Sequence, residues 1–353
     1  MSSPVDILSR RLLPWLEPPF RKLEAARLAG RLGHAWLIAG PAGVGKLNLA
    51  LALARRLFGG ELERDALDPG AALAAMAARY EPQDRHPDLH WLYPSERKQE
   101  DEEKEKASVS IDQVRTATDA LTLTAHRSGA KVLVIESAEL LSRGAANALL
   151  KTLEEPTPNS YLLLLSQQPG SLPPTVRSRC QRLVLPTPDD DAVAAWLAVS
   201  PTVVREARYA VGDAPLQIAA GIRGELLTKF SKLESDLTAI SEDRLDPLSI
   251  VQSWIKGETK AETRAETELA LSWLQRRLHG ALRARLAESG GSTSVTVPPA
   301  ATLHNAWRAL PARALFDEYD RAEKLLNLLG SGLNIELALA AMLNALVVNR
   351  GRS

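Results

Sequence analysis

The stretch WLIAGPAGVGKLNLALALARRL, residues 36–57, constrains this 353-residue chain more than any other. A straight apolar run enters a Gly-rich turn and leaves it as a long Leu/Ala-rich run, which reads as strand, loop and helix. Gly40, Gly43, Gly45 and Lys46 fit the pattern G-x-x-x-x-G-K. In that context backbone N–H groups converge on an anion at the helix start, and the lysine adds a point charge beside the phosphates. The next position in such loops supplies a hydroxyl to a magnesium ion. Here it is Leu47, which offers no oxygen.

The same texture recurs. Strand-like runs lie at 36–40, 89–93, 132–136, 161–166 and 182–186, each continuously apolar rather than alternating, as in a parallel sheet covered on both faces. Helical patterns at 46–58, 111–124 and 142–155 separate some of them. The first half is therefore expected to be an α/β domain with a largely parallel sheet. From about 187 no further run resembles a buried strand. PTPDDDAVAAWLA reads as a linker and a helix with acidic residues in its first turn, where the helix end is positive. Residues 234–353 read as helical, with breaks at 257–260, 288–300 and 330–332, and the last helix, NIELALAAMLNALVV, is apolar almost all round.

Lysine plus arginine and aspartate plus glutamate both number 43, so no global basic field marks the chain as a nucleic-acid coat protein. The one cysteine, Cys180, excludes an internal disulfide framework and reads as a small packing residue of a reducing compartment. The N-terminus MSSPVDILSRR has no signal-peptide pattern, and the apolar runs are too short for a bilayer, so a cytoplasmic protein without membrane contact is expected. The mixed-charge run SERKQEDEEKEK at 95–106 reads as a mobile surface insertion.

A loop that holds a nucleotide for hydrolysis needs acids at the end of a second strand. KVLVIESAEL offers Glu136 there, followed by Ser137, which is no general base. Loss of the hydroxyl and of a water-aligning carboxylate together would cost on the order of 10³-fold in rate. The loop is read as a structural turn with room for a weakly held nucleotide or phosphate, and nucleotide binding without turnover stays open. No intrinsic ATPase and no polymerase chemistry is expected. Ser178-Arg179-Cys180 lies between two of the strands; Arg179 either acts at a distance or pairs with a local carboxylate or helix end. In ANALLKTLEEP, Ala145, Ala148, Leu149, Thr152 and Leu153 share one helical side, and Pro156 stops the helix.

Several of these stretches together, LPWLEPPFRKLEAARLAGRLGHAWLIAGPAGVGK, HPDLHWL, SIDQVR and KVLVIESAELLSRGAANALLKTLEEPTPNSYLLLLSQQPGSLPPTVRSRCQRL, closely resemble the clamp-loader subunits of bacterial DNA polymerase III, and the delta-prime group in particular. The resemblance implies an AAA+ (P-loop NTPase-like) α/β domain at 1–186, a small helical lid at 187–233 and an all-α C-terminal collar at 234–353. It implies a catalytically silent stator of a hetero-oligomeric ring. That ring opens the sliding clamp and places it on primer-template DNA during replication, with gamma/tau motor subunits and a delta subunit as partners. Arg179 matches the arginine finger that reaches an ATP bound by the adjacent motor subunit; Arg177 is the alternative. The family often carries a zinc-binding cysteine cluster after the loop helix, but residues 59–90 hold no cysteine, and His86 and His90 with Asp84 and Asp88 are a poor set, so no zinc is expected. No cofactor is required on this reading. The segment GDAPLQIAA lacks the arginine that motor subunits place in the lid. Two rival readings are an active AAA+ ATPase motor and a stand-alone AAA+-fold scaffold.

Overall fold

The computed structural model describes residues 4–77, 86–94, 108–123, 125, 129–224, 226–242, 244–257, 259–290, 307, 310–329 and 334–348. The charged run at 95–106 and the predicted break at 330–332 lie outside the described residues. Contacts divide the chain into two compact units, residues 1–200 with 214–219, and residues 201–213 with 220–353.

In the first unit the elements follow as α1 (Pro4–Arg10), α2 (Glu17–Leu28), β1 (Ala35–Ala39), α3 (Lys46–Leu57), α4 (Pro69–Ala77), β2 (Leu89–Leu92) and α5 (Ile111–Thr122). Then come β3 (Lys131–Ile135), α6 (Arg143–Glu154), β4 (Ser160–Ser166), α7 (Pro174–Arg177), β5 (Gln181–Val184) and α8 (Asp190–Leu197). All five predicted strands are present. They form one parallel sheet in the order β2-β3-β4-β1-β5. Parallel pairing puts every carboxyl end on one edge, where loops and helix starts gather.

Alternation along the strands feeds two cores. Ile38, Val132, Val134, Leu163 and Leu165 pack with Leu49, Leu53 and the N-terminal helices on one face. Leu37, Leu133, Ile135, Leu162 and Leu164 pack with Val114, Leu121, Leu149 and Val176 on the other. The apolar runs of β1, β3 and β4 are thus accounted for by a three-layer sandwich, whereas β5, expected to be covered on both faces, is an edge strand with Val184 55% exposed. Helix α6 buries Ala145, Ala146, Leu149 and Leu153. Its buried stripe includes Ala146, which the sequence pattern passed over, while Ala148 and Thr152 are only half-buried.

Local chemistry sets the helix starts. Ser110 and Gln113 form a reciprocal capping box on α5, Ser142 caps α6 through the Ala145 N–H, and Asp189 caps α8 through the Ala192 N–H. Lys131 is 7% exposed, and its ammonium turns to the carbonyls of Leu121 and Leu123, the orphan acceptors at the end of α5.

The second unit is helical among its described residues: α9 (Pro201–Val211), α11 (Leu226–Ser241), α12 (Pro247–Trp254), α13 (Lys260–Gly290), α14 (Ala312–Asn327) and α15 (Ile335–Val348). Helix α10 (Pro215–Arg223) is divided between the two units. A further break, not predicted, falls between Ser241 and Pro247, where Asp246 caps α12. Trp273 lies at the centre, with Phe230 stacked at 6.3 Å and Trp254 edge-on at 6.1 Å. The buried Arg277 sits 5.5 Å over the Trp273 ring and pairs with Glu234. The last helix is not covered all round: Leu339, Met342 and Leu343 are buried, while Leu337 is 62% exposed. Among the described residues, no helix is long and apolar enough to cross a membrane.

Candidate functional site

The Gly-rich loop leaves β1 at the carboxyl edge and is bound on both flanks. Gly40 donates its N–H to the Ser166 carbonyl at the end of β4, and Leu185 donates to the Ala39 carbonyl. Gly43 and Gly45 have φ of +62° and +98°, values that side chains rarely adopt. A Cβ on Gly45 would stand 2.6 Å from Leu13 Cδ1, so the loop has no room on its outer side. Trp15 donates its indole N–H to the Val44 carbonyl at 2.8 Å. Asn48, 3% exposed, bolts the N-terminal segment to α3: it accepts from the Leu13 N–H and donates to the Leu8 and Arg11 carbonyls.

Gly43, Gly45 and Lys46 line a cleft of about 260 Å³, and Gly40 lies just behind it. Lys46 donates to the Gly40 and Pro41 carbonyls, both at 2.8 Å. Burial lowers its pKa to about 8, against the pull of the carboxylates of Glu139 and Glu136. Much of the remaining wall is apolar: Leu8, Leu13, Leu47, Leu67, Leu165 and Leu216. Leu47 packs against the core cluster on that face of the sheet. Glu136 accepts a 2.6 Å hydrogen bond from the Trp91 indole. Ser137 has left-handed backbone, φ 49°, and turns the chain away from β3.

Sequence reasoning missed Trp91, Glu139, Gln167 and Leu216. Glu139 Oε1 accepts from the Gln167 N–H at 3.2 Å, while its Oε2 is buried without a hydrogen-bond partner among the described residues. Gln167 is the first residue after β4, which is the signal that places it at the carboxyl edge. The donor set does not fit the magnesium ion of a P-loop site: residue 47 supplies no oxygen, and Glu136 is engaged by Trp91. Among the described residues, no group of three or more His, Cys, Asp or Glu is arranged to hold a metal.

Arg179 does not line this cleft. It follows α7, whose Val176 is fully buried and anchors the turn. Its guanidinium makes a 2.5 Å ion pair with Glu154 at the end of α6, and donates to the Thr175 carbonyl at 3.0 Å and to Ser178 Oγ at 3.4 Å. Of the readings open from sequence, local pairing with a carboxylate is therefore observed. Both side chains remain accessible, 36% for Arg179 and 50% for Glu154. Arg177 is also exposed, and its guanidinium has no ion pair among the described residues. Cys180 packs at the edge of the second core, and burial pushes its thiol up to about 11, which excludes a reactive thiolate at neutral pH.

Comparison with known proteins places these features. Residues 16–189 match the family described as DNA polymerase III, delta subunit. The chain is 36% identical over 220 residues to the DNA polymerase III subunit delta' of Escherichia coli, covering 62% of this chain and 61% of that protein. It is 40% identical over 182 residues to the subunit of the same name from Pseudomonas aeruginosa, covering 51% and 52%. A match to the DNA polymerase III subunit tau of Escherichia coli is 31% identical over 164 residues, 46% of this chain and 23% of that one. The matched segments thus span between half and three-fifths of the delta' relatives. Residues 16–189, which contain the loop, the β3 end and the Arg179 turn, carry the match, and over that segment the chain is similar to the delta-prime subunits of DNA polymerase III.

Proposed function

We propose that this chain acts as the delta-prime subunit of a clamp loader, a catalytically silent stator that supplies Arg179 in trans to the ATP site of a neighbouring motor subunit. One observation carries the reading. An accessible arginine stands on a turn anchored by the buried Val176, in a domain that has Leu47 after its Gly-rich loop and Ser137 after β3 at the two positions hydrolysis needs. Guanidinium is always charged and planar, and it matches the oxygens of a transferring phosphoryl group. In other phosphoryl-transfer systems such a residue is worth about 10³–10⁵ in rate.

The partners in this proposal are the gamma/tau motor subunits, the delta subunit, the sliding clamp and primer-template DNA, all in the cytoplasm. The likeness of part of the chain to a tau subunit supports a ring built of related domains. The lid at 187–233 and the collar at 234–353 belong to the same proposal. The loop of Gly40, Gly43, Gly45 and Lys46 then serves as a structural turn with at most a weakly held nucleotide or phosphate, and no cofactor or zinc is required.

The test is reconstitution with the cognate motor, delta and clamp subunits, reading ATP hydrolysis stimulated by clamp and primed DNA. The isolated chain should show no magnesium-dependent turnover. The complex should turn over and should lose most of that rate with Arg179→Ala while still assembling by gel filtration. Turnover by the lone chain would establish the active-motor alternative, and failure to assemble would favour a scaffold outside replication. A second reading makes Arg177 the finger, because its exposed guanidinium has no ion pair among the described residues; it requires Arg177→Ala, not Arg179→Ala, to carry the loss.

A further inference from the structure

Arg179 is held by contacts of two kinds. The Thr175 carbonyl and Ser178 Oγ belong to its own turn and travel with it. Among the described residues, Glu154 alone comes from another element, as the last residue of α6. A carboxylate there faces the negative end of its helix, which disfavours it, so helix stability gives no reason for this residue. The ion pair has one close contact, from Arg179 Nη2 to Glu154 Oε1, and both partners are accessible to solvent.

That arrangement has consequences for a guanidinium that must grip a phosphoryl group. Bidentate contact uses a pair of N–H groups on one edge of the fork, and Nη2 is already committed to a carboxylate. An adjacent carboxylate also offsets the charge that a developing phosphoryl anion would meet. Retained at the neighbour's ATP, Glu154 would work against the finger. Lost on assembly, it costs little, because exposed ion pairs are weak.

Resting on the role of Arg179 given above, we propose that Glu154 is a holding residue: it parks the Arg179 guanidinium in the unassembled chain and is displaced when the phosphates of a neighbour's ATP take its place. The pair is then a nucleotide-dependent latch. Parking keeps a long, flexible cation ordered and away from other anions until a triphosphate competes for it.

The test measures binding of the full chain to the tau-type motor subunit, with a non-hydrolysable ATP analogue and without nucleotide. The chains are wild type, Glu154→Gln, Arg179→Ala and the double variant. Glu154→Gln keeps shape and removes charge at an exposed helix end, and matching thermal melts would confirm its fold. Affinity with the analogue is expected to rise about 1.4- to 5-fold, the measured worth of exposed ion pairs. No change is expected without nucleotide, and none in the Arg179→Ala background. Unchanged or weaker binding with the analogue would overturn the latch. So would a gain that persists without nucleotide or without Arg179, since that is a general interface effect. Stimulated hydrolysis with Arg179→Ala separates the two levels: a lost rate with no Glu154 effect defeats the latch alone, and an unchanged rate defeats the finger and the latch together.

Discussion

Trp91 and Glu136 are joined by a 2.6 Å hydrogen bond between neighbouring strands, so the carboxylate at the end of β3 is an acceptor for an indole. In a hydrolytic site that carboxylate would serve a metal or a water. Trp91 is 5% exposed, and a hydrogen bond to a charged acceptor there contributes more than a surface contact. The carboxylate's neighbourhood with Lys46 gives it a second structural partner through charge.

Trp91→Phe should therefore destabilise the first unit by about 1.5–3 kcal/mol, read by urea unfolding, because it keeps most of the ring and deletes the donor. It should not create ATP turnover in the isolated chain, since Leu47 still supplies no oxygen. A neutral effect on stability would mean that Glu136 is satisfied elsewhere.

Asn48 makes three hydrogen bonds from a buried position to a segment 35 to 40 residues earlier. Asn48→Ala leaves two carbonyls and one N–H without partners, each costing roughly 1–3 kcal/mol if water does not enter. The expected loss is about 2–4 kcal/mol, accompanied by faster hydrogen exchange at Leu13. Asn48→Asp keeps the acceptor for Leu13 but turns a buried carboxylate toward the Leu8 and Arg11 carbonyls, and should destabilise at least as much as Asn48→Ala.

Lys46 gives a pH signature. Its pKa is lowered to about 8 in the folded chain against an ordinary 10.5, with burial as the leading cause. Below pH 8 the amine is charged in both folded and unfolded states, and its desolvation opposes folding in full. Between about 8 and 10.5 the folded state has released a proton that the unfolded state keeps, so stability contributed at this site rises with pH. Titration of the isotope-labelled lysine by NMR should show a midpoint near 8, absent in Lys46→Met. A midpoint in the ordinary lysine range would mean that the amine is solvated and not turned into the loop.

Arg277 and Glu234 form an ion pair in the second unit, with the arginine side chain 4% exposed. Arg277→Met leaves Glu234, 23% exposed, without its cation, and should cost about 1–3 kcal/mol. Adding Glu234→Leu should recover most of the loss, since an apolar pair of similar volume is often as stable as the ionic one. No recovery in the double variant would point to the Arg277–Trp273 contact as the main contribution.

How much of this was legible in the sequence depends on the range of the interaction. The five strands and helices α3, α5 and α6 were readable because apolar runs, caps and the Gly-rich turn are local signals. Gly40, Gly43, Gly45 and Lys46 fall together for the same reason. The Trp91 bond to Glu136 spans 45 positions, and the Arg179 pair joins the turn after α7 to Glu154 at the end of α6; neither has a periodicity to reveal it. The exposure of Leu337 was hidden because apolar composition all round a helix does not say which side lacks a neighbour. The turn of Lys46 into its own loop is set by geometry at Gly40 and Pro41 that a motif cannot express.

The central claim is that Arg179 serves a neighbour's ATP. The most direct measurement is the single-turnover rate of ATP hydrolysis in the assembled complex, with the clamp and primed DNA present, comparing wild type, Arg179→Lys, Arg179→Ala and Arg177→Ala. The account predicts a loss of about 10³-fold or more at the affected ATP site for Arg179→Ala. Arg179→Lys should recover little, because a point charge does not replace the planar fork. Arg177→Ala should stay near wild type, and assembly should be intact throughout. A wild-type rate with Arg179→Ala in a fully assembled complex would contradict the account.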